Sequence, residues 1–203
     1  MIIKESGSGG YGTSSIMQGF GVGAGYTNVN NQLIMLGSYD LIGRTVDSLP
    51  FMNVEYITKG RFKTRNIYKN TPIQIEYSRI DPTAYQYLFK CTVQNDGSLL
   101  ITDADEKGNF KYTAYYGQEF SIPFFTATIW PTTFKLDSGE HIYFRFRDRD
   151  DLTQEFSSRL QLRFVTEQST VLSIQLVGVT PERDRDFINK LSDIYLLQSV
   201  ERK

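Results

Sequence analysis

The sequence predicts an α+β fold, in which a discontinuous α/β base domain carries an inserted antiparallel β-sandwich or barrel. Two segments with apolar residues at helical spacing, 28–49 and 181–203, lie near opposite ends of the chain. Between them runs a series of short alternating segments separated by turn residues, which is typical of an antiparallel β module. We therefore assign residues 1–69 and 151–203 to the base, a sheet with two main helices, and residues 70–150 to the all-β insertion.

The composition narrows the function classes. A chain of 203 residues fits one or two domains, and its net charge of −1 gives no reason to expect nucleic acid as a partner. No apolar run approaches the roughly 20 residues that cross a bilayer, and the first residues, 1–4, are too few for a signal peptide. We therefore expect this stretch of chain to be soluble by itself.

The first part of the chain begins with a short strand at Ile2–Ile3, followed by a Gly- and Ser-rich linker over 6–25. The linker contains GFGVGAG at 19–25, which lacks the Lys–Ser/Thr pair and the spacing of a phosphate-binding loop. The helical segment 28–49 is interrupted at Gly37–Ser38, where Ser38 or Asp40 can cap a second helix. A strand at 53–57 and a second extended stretch at 62–68 follow, after Pro50 ends the helix.

The insertion is predicted from alternation and turn residues. Asn95–Asp96–Gly97, Lys107–Gly108–Asn109 and Asp137–Ser138–Gly139 are turn signals, and Gly117, Pro123 and Pro131 interrupt the pattern. The predicted strands cover 73–77, 85–93, 98–102, 110–116, 133–136 and 141–147.

The end of the chain returns to α/β character. The acidic run 148–151 lacks the pattern of a calcium loop and is interpreted as the capped start of a short helix. Strands at 160–164 and 171–177 follow, with the second expected at the centre of the base sheet. Thr180 and Pro181 then open a helix that has no stop signal. The helix either frays at the end of a complete protein or, as we expect, was cut inside a longer one.

Four groups of residues, listed below in chain order, resemble the periplasmic domain of the polysaccharide co-polymerase (chain-length determinant, Wzz-type) family. The chain departs from the family pattern at Ile34, Met35 and Gly37, and in the charged turn 183–186. The matching positions are Ser14, Ser15, Gln18, Gly19, Phe20 and Gly21; Asn28, Asn31, Leu33, Leu36, Ser38, Leu41 and Val46; Tyr56, Lys59, Gly60, Arg61, Tyr68, Lys69 and Pro72; and Pro181, Asn189 and Leu191.

The resemblance implies a domain in the periplasm of a Gram-negative bacterium, held between two helices in the inner membrane. Such proteins form homo-oligomers, act with the polymerase and export machinery, and govern the chain length or export of capsular polysaccharide or exopolysaccharide. Some continue into a cytoplasmic tyrosine autokinase. This sequence contains no Walker motif, so we expect no kinase activity, and no enzyme activity, from it.

Two other functions remain open. Aromatic residues make up 14% of the chain, and Tyr115, Tyr116 and Trp130 are candidates for a sugar-stacking platform in a secreted carbohydrate-binding module. The alternative interpretation is that these three aromatic residues pack in the hydrophobic core as strand residues. A hydrolase would need paired carboxylates, but no spacing links the available ones, which are Glu106, Glu119, Asp137 and Glu140.

The cysteine and the histidine, the remaining reactive residue types, do not indicate a catalytic or ligand-binding site. Cys91, the single cysteine, is expected to be a buried thiol, and His141 to be the start of a strand. We therefore assign no catalytic, cofactor-binding or metal-binding residue and expect no cofactor; glycan is a possible partner.

Overall fold

The computed structural model describes residues 31–60, 64–104, 110–164, 172–178 and 180–201. Helices occupy residues 31–36, α1 (Tyr39–Asp47), α2 (Arg149–Arg159) and α3 (Pro181–Glu201), with 3-10 turns at Pro50–Asn53 and Pro82–Gln86. The strands are β1 (Val54–Lys59), β2 (Thr64–Ile67), β3 (Ile73–Ile80), β4 (Phe89–Val93), β5 (Leu99–Asp103), β6 (Lys111–Ala114), β7 (Glu119–Ser121), β8 (Phe125–Pro131), β9 (His141–Phe146), β10 (Leu160–Phe164) and β11 (Leu172–Leu176). The mixture of helices and antiparallel sheets confirms the α+β class.

Local capping signals set where the helices begin. The Ser38 hydroxyl accepts a hydrogen bond from the Leu41 N–H at 3.3 Å, so a new helix starts after the Gly37 break, as the sequence predicts. The Asp148 carboxylate caps α2 by accepting from the N–H of Asp150 at 2.8 Å. Pro181 is the first residue of α3, where its missing N–H costs nothing.

The helices share one hydrophobic cluster. The Phe156 ring of α2 stacks on the Phe187 ring of α3 at 3.9 Å between centroids, with 3° between the planes. The buried members come from both ends of the chain: Leu36, Leu41, Ile42, Val46, Leu49, Met52, Leu152, Phe156, Phe187, Leu191 and Ile194. The β10–β11 hairpin covers this cluster with partly buried leucine and isoleucine side chains. We call this part, with the hairpin, the helical half.

The other strands form two antiparallel sheets. One has the order β2-β1-β9-β4-β5-β6, and the other has the order β3-β8-β7. Both sheets contribute to a second hydrophobic cluster, in which the Phe89 ring contacts the rings of Phe125 and Phe144 at 5.1 and 5.3 Å. The predicted hairpin at Asn95–Gly97 joins β4 to β5, with Gly97 at φ +80°. We call this part the β half.

Several local predictions differ from the structure. Residues 133–136 are not a strand, and part of the predicted strand 85–93 is a 3-10 turn opened by Asp81 and Pro82. The sequence does not predict β7 and β8, because Pro123 and Pro131 are strand breakers in isolation. Pro131 is instead the last residue of β8, at the end of the ladder opposite Ile73.

Two predictions about the base also need correction. The strands β1 and β2, placed in the base by the boundary at residue 69, hydrogen-bond into the six-stranded sheet of the β half. Within the described residues, β11 pairs with β10 and is not central in a larger sheet.

The predicted strand at Ile2–Ile3, the linker 6–25 and the turn 107–109 lie outside the described residues. Among the described helices, none combines the length and the apolar character needed to cross a bilayer.

Candidate functional site

Trp130 provides a fixed aromatic surface on the β half. It lies near the end of β8 with 43% of its surface exposed, and its Nε1 donates a hydrogen bond to Glu76 Oε2 at 2.9 Å. The indole packs against Gly117, where an added Cβ would lie 3.2 Å from the ring, and Gly117 has φ +71°. The Glu76 bond and the Gly117 contact together hold the indole in place on the protein surface.

The two tyrosines predicted beside Trp130 have different environments. Tyr115 is 51% exposed, whereas Tyr116 is partly buried and packs against the hydrophobic cluster of the β half. Tyr115 and Trp130 are therefore available to a ligand, while Tyr116 belongs in part to the core. The platform interpretation therefore stays a prediction for Tyr115 and Trp130, while the packing of Tyr116 favours the core interpretation for that residue.

The outer face of the three-stranded sheet is polar around Trp130. Gln74 lies directly opposite Trp130 in the β3–β8 ladder, and the carboxylate of Glu119 on β7 accepts a hydrogen bond from the Ser78 hydroxyl at 3.1 Å. Thr126, Thr128 and Ser121 alternate with buried residues and thus lie on the same face. This face therefore offers one aromatic ring among amide, hydroxyl and carboxylate groups.

A network of ion pairs joins the two halves. Glu55 on β1 pairs with Arg145 and with Arg147, and Arg147 also contacts Glu155 Oε2 on α2 at 2.8 Å. Glu155 in turn contacts Arg159 at 2.8 Å and Arg183 on α3 at 3.0 Å. Burial by itself raises the pKa of Glu155, but the surrounding guanidinium groups outweigh it and hold this pKa below its ordinary value.

A cavity of about 270 Å³ lies between the helical half and the edge of β3, and we call it the junction cavity. Asp186 of α3 forms one wall, where its Oδ2 accepts from the Tyr68 hydroxyl at 3.1 Å and pairs with Lys69 Nζ at 2.9 Å. Burial by itself raises the pKa of Asp186, but the hydrogen bonds from Lys69 and Tyr68 outweigh it and lower this pKa. The Phe51 ring lies 5.6 Å from the Tyr68 ring and supplies an apolar wall.

Uncommitted polar groups face the junction cavity. The Tyr56 hydroxyl accepts the Ile75 N–H at 2.8 Å, and no described residue accepts its proton. The side chains of Gln74 and Thr71 also line the cavity without a hydrogen-bond partner in the part of the chain that the structure describes. The sequence does not predict this cavity, because its walls come from segments as far apart as Phe51 and Asp186.

The residues considered for catalysis are separated. Glu140 accepts the Asp137 backbone N–H at 2.8 Å inside one turn, while Glu119 bonds Ser78 on another sheet, and Glu106 lies outside the described residues. These local contacts give no reason to pair any two of the carboxylates for hydrolysis.

The single cysteine and the single histidine both lie on strands of the β half. Cys91 is buried on β4, and this burial raises the pKa of its thiol to about 12, which keeps it protonated. His141 starts β9 as predicted, and burial, followed by the charge of Lys90, lowers its pKa. Among the described residues, no three His, Cys, Asp or Glu side chains are grouped to hold a metal.

No model of a protein family matches the chain, and no curated protein matches it either.

Proposed function

We propose that the chain is the periplasmic domain of an inner-membrane polysaccharide co-polymerase, which regulates the chain length or export of capsular polysaccharide or exopolysaccharide through oligomerisation. The observation that supports this proposal is the shared core of the helical half. Leu36 and Leu41, at positions of the family's first helix pair, pack in one cluster with Leu191 of α3. These three residues of the resemblance thus belong to one cluster, although about 150 residues separate Leu41 from Leu191.

The proposal includes the finer architecture, a discontinuous base with an inserted β-sandwich. The chain leaves the helical half after Asn53 and returns at Asp148, and these two crossings are adjacent because β1 pairs with β9. The Arg147 N–H donates to the Asn53 carbonyl at 2.8 Å, which ties the exit to the return. Such neighbouring crossings are what an inserted module needs, and we propose the limits 54–146 for it in place of 70–150.

The proposed activity is regulatory and requires no reaction step in this chain. Two membrane helices outside it would hold the subunits at high effective concentration, so that weak contacts between copies close into a ring. The partners are further copies of the protein and the polymerase and export machinery. We expect the 203-residue chain alone to be monomeric or weakly associated in dilute solution.

Deletion of the gene in its host tests the proposed regulation of polysaccharide chain length. We expect the length distribution of the surface polysaccharide on a gel to change, and the wild-type gene to restore it. Cross-linking of the full-length protein in membranes should yield closed oligomers, while light scattering on the 203-residue chain should give mainly monomer. Unchanged polysaccharide, or a full-length protein that stays monomeric in its membrane, refutes the proposal.

A second candidate is a secreted carbohydrate-binding module without catalysis, and the exposure of Trp130 and Tyr115 favours it. The two functions differ in location. Fractionation of the host places a co-polymerase in the membrane and a secreted module in the medium.

A further inference from the structure

We propose that Trp130, Gln74 and the junction cavity form one binding strip for an uncharged oligosaccharide. One sugar ring stacks on the indole of Trp130, the next ring crosses β3, and the third ring enters the cavity. This proposal deepens the glycan-binding candidate by assigning its surface and its ligand class. It holds whether or not the protein regulates chain length.

The strip is continuous because Gln74 belongs to both of its parts. Gln74 lies opposite Trp130 in the β3–β8 ladder and also lines the cavity. In the described sheets β3 has one neighbour, β8, so no strand separates Gln74 from the cavity. Strands are about 4.8 Å apart, and the distance from Trp130 across β3 to the cavity is roughly two such spacings. Successive sugar rings are about one such spacing apart, so three consecutive rings reach from the indole to the cavity.

The chemistry of the strip suits a sugar. A pyranose presents an apolar face of C–H groups and an edge of hydroxyl groups, so it needs flat apolar contacts together with neutral donors and acceptors. Trp130 supplies a flat face whose orientation Glu76 fixes, and Phe51 supplies an apolar wall inside the cavity. Among the described residues, none accepts the Tyr56 hydroxyl proton or bonds the Gln74 amide, so both groups remain for the sugar hydroxyls.

The charges on the strip favour an uncharged chain. Lys69 and Asp186, both lining the cavity, already neutralise each other at 2.9 Å. Beside the indole, the nearest charge is the carboxylate of Glu76, which would repel an acidic sugar. With about 270 Å³, the cavity is at the small end of ligand sites, so it fits one ring of a longer chain rather than a large cofactor.

The protein carries its own reporter, since Trp130 is the only tryptophan in the sequence. We would titrate the chain with β-1,4-mannohexaose, cellohexaose, maltohexaose and chitohexaose and follow Trp130 fluorescence and calorimetric heat. We expect at least one of these neutral hexaoses to shift the emission. The β-1,4-mannuronate hexamer, which differs from mannohexaose by its carboxylates, should bind at least tenfold more weakly.

Variants separate the two parts of the strip. By calorimetry, Trp130→Ala should weaken binding at least tenfold, and Trp130→Phe, which keeps an aromatic face, should weaken it less. Gln74→Ala and Tyr56→Phe, which remove cavity groups and keep the indole, should each weaken binding about fivefold, the loss expected for one neutral hydrogen bond. Tyr39→Ala, an exposed aromatic residue on α1, is the matched control and should leave the affinity unchanged.

The following results of the titrations and of the variant measurements would overturn the proposal. Failure of all four neutral hexaoses, wild-type affinity in Trp130→Ala, or tight binding of the mannuronate hexamer refutes the strip or its ligand class. Wild-type affinity in both cavity variants restricts binding to Trp130 and refutes the continuous strip. Gene deletion tests the regulator separately, because binding can persist in a protein whose loss leaves polysaccharide length unchanged.

Discussion

Replacement of Leu191 by alanine tests the shared core that supports the proposed function. Leu191 lies on α3 with 0% of its surface exposed, in the cluster that contains Phe156 and Phe187. The change removes the equivalent of three methylene groups, or roughly 2.4 kcal/mol at about 0.8 kcal/mol each. A residual cavity adds to this, so we expect a loss of about 2–5 kcal/mol in the free energy of unfolding.

The same helix offers a matched control. Leu197 is 66% exposed, so Leu197→Ala makes the same chemical change where little apolar surface is lost. We expect it to alter the free energy of unfolding by less than about 0.5 kcal/mol. For a chain of this size, each kcal/mol corresponds to about 2–4 °C in Tm, so Leu191→Ala should melt roughly 4–20 °C below wild type.

Urea unfolding followed by two signals measures the effect. Far-ultraviolet circular dichroism reports the helices, and the fluorescence of Trp130 reports the β half. If the two halves unfold together, both transitions shift by the same amount; if they unfold separately, only the helical signal moves. A loss in Leu191→Ala no larger than in Leu197→Ala would refute the shared core as the source of stability.

Four further predictions follow from single contacts. Asp148→Ala removes the cap of α2 and should lower the free energy of unfolding by about 0.5–2 kcal/mol in urea titrations. Gly117→Ala places a Cβ 3.2 Å from Trp130 at φ +71°, so it should lower Tm and shift the tryptophan emission. Cys91, with its pKa raised to about 12 by burial, should resist iodoacetamide in the folded protein at neutral pH and react in urea; fast labelling of the folded protein contradicts its burial. Glu155 has a depressed pKa when folded, so its contribution to stability is present above the ordinary pKa and is lost as the pH falls below it. Glu155→Gln should therefore flatten the acid side of a plot of Tm against pH, and an unchanged acid side would contradict the role of its guanidinium partners.

Short-range signals predicted the points where elements begin and turn. Ser38, Asp148 and Pro181 act on backbone groups within three or four residues, so their roles follow from the sequence alone. The Asn95–Gly97 hairpin likewise depends on one residue that accepts a positive φ. These interactions need no knowledge of distant chain segments.

Pairing between distant segments could not be predicted in the same way. Pro131 interrupts a strand when considered alone, but at the last position of β8 it completes a ladder with Ile73. The membership of β1 in the six-stranded sheet depends on β9, which lies almost 90 residues later. Alternation identifies strands but not their partners, so the sequence does not predict that β1 and β2 join the six-stranded sheet.

The candidate site shows the same division between local and distant information. Composition alone leaves both an exposed platform and a strand core open for the aromatic residues. Trp130 is exposed, whereas Tyr116 is partly buried because it packs against a core assembled from both sheets. The junction cavity had no signal in the sequence. Tyr68 and Lys69 meet Asp186 only after α3 packs on the helical half, so no spacing along the chain records their contact.

The position of α3 connects the two proposals. Asp186 lies near the start of this helix and holds Tyr68 and Lys69 at the cavity wall, so a displacement of α3 alters the cavity. The ion pairs from Arg183 to Glu155 and from Glu155 to Arg147 oppose such a displacement by linking α3, through α2, to the residue that directly follows β9. If copies of the protein contact one another through α3, a contact that favours one position of this helix would change the affinity of the cavity for the proposed sugar. By thermodynamic linkage the sugar changes the strength of that contact by the same factor. The proposed glycan binding and the proposed assembly would thus be coupled through α3 wherever a contact between copies involves this helix.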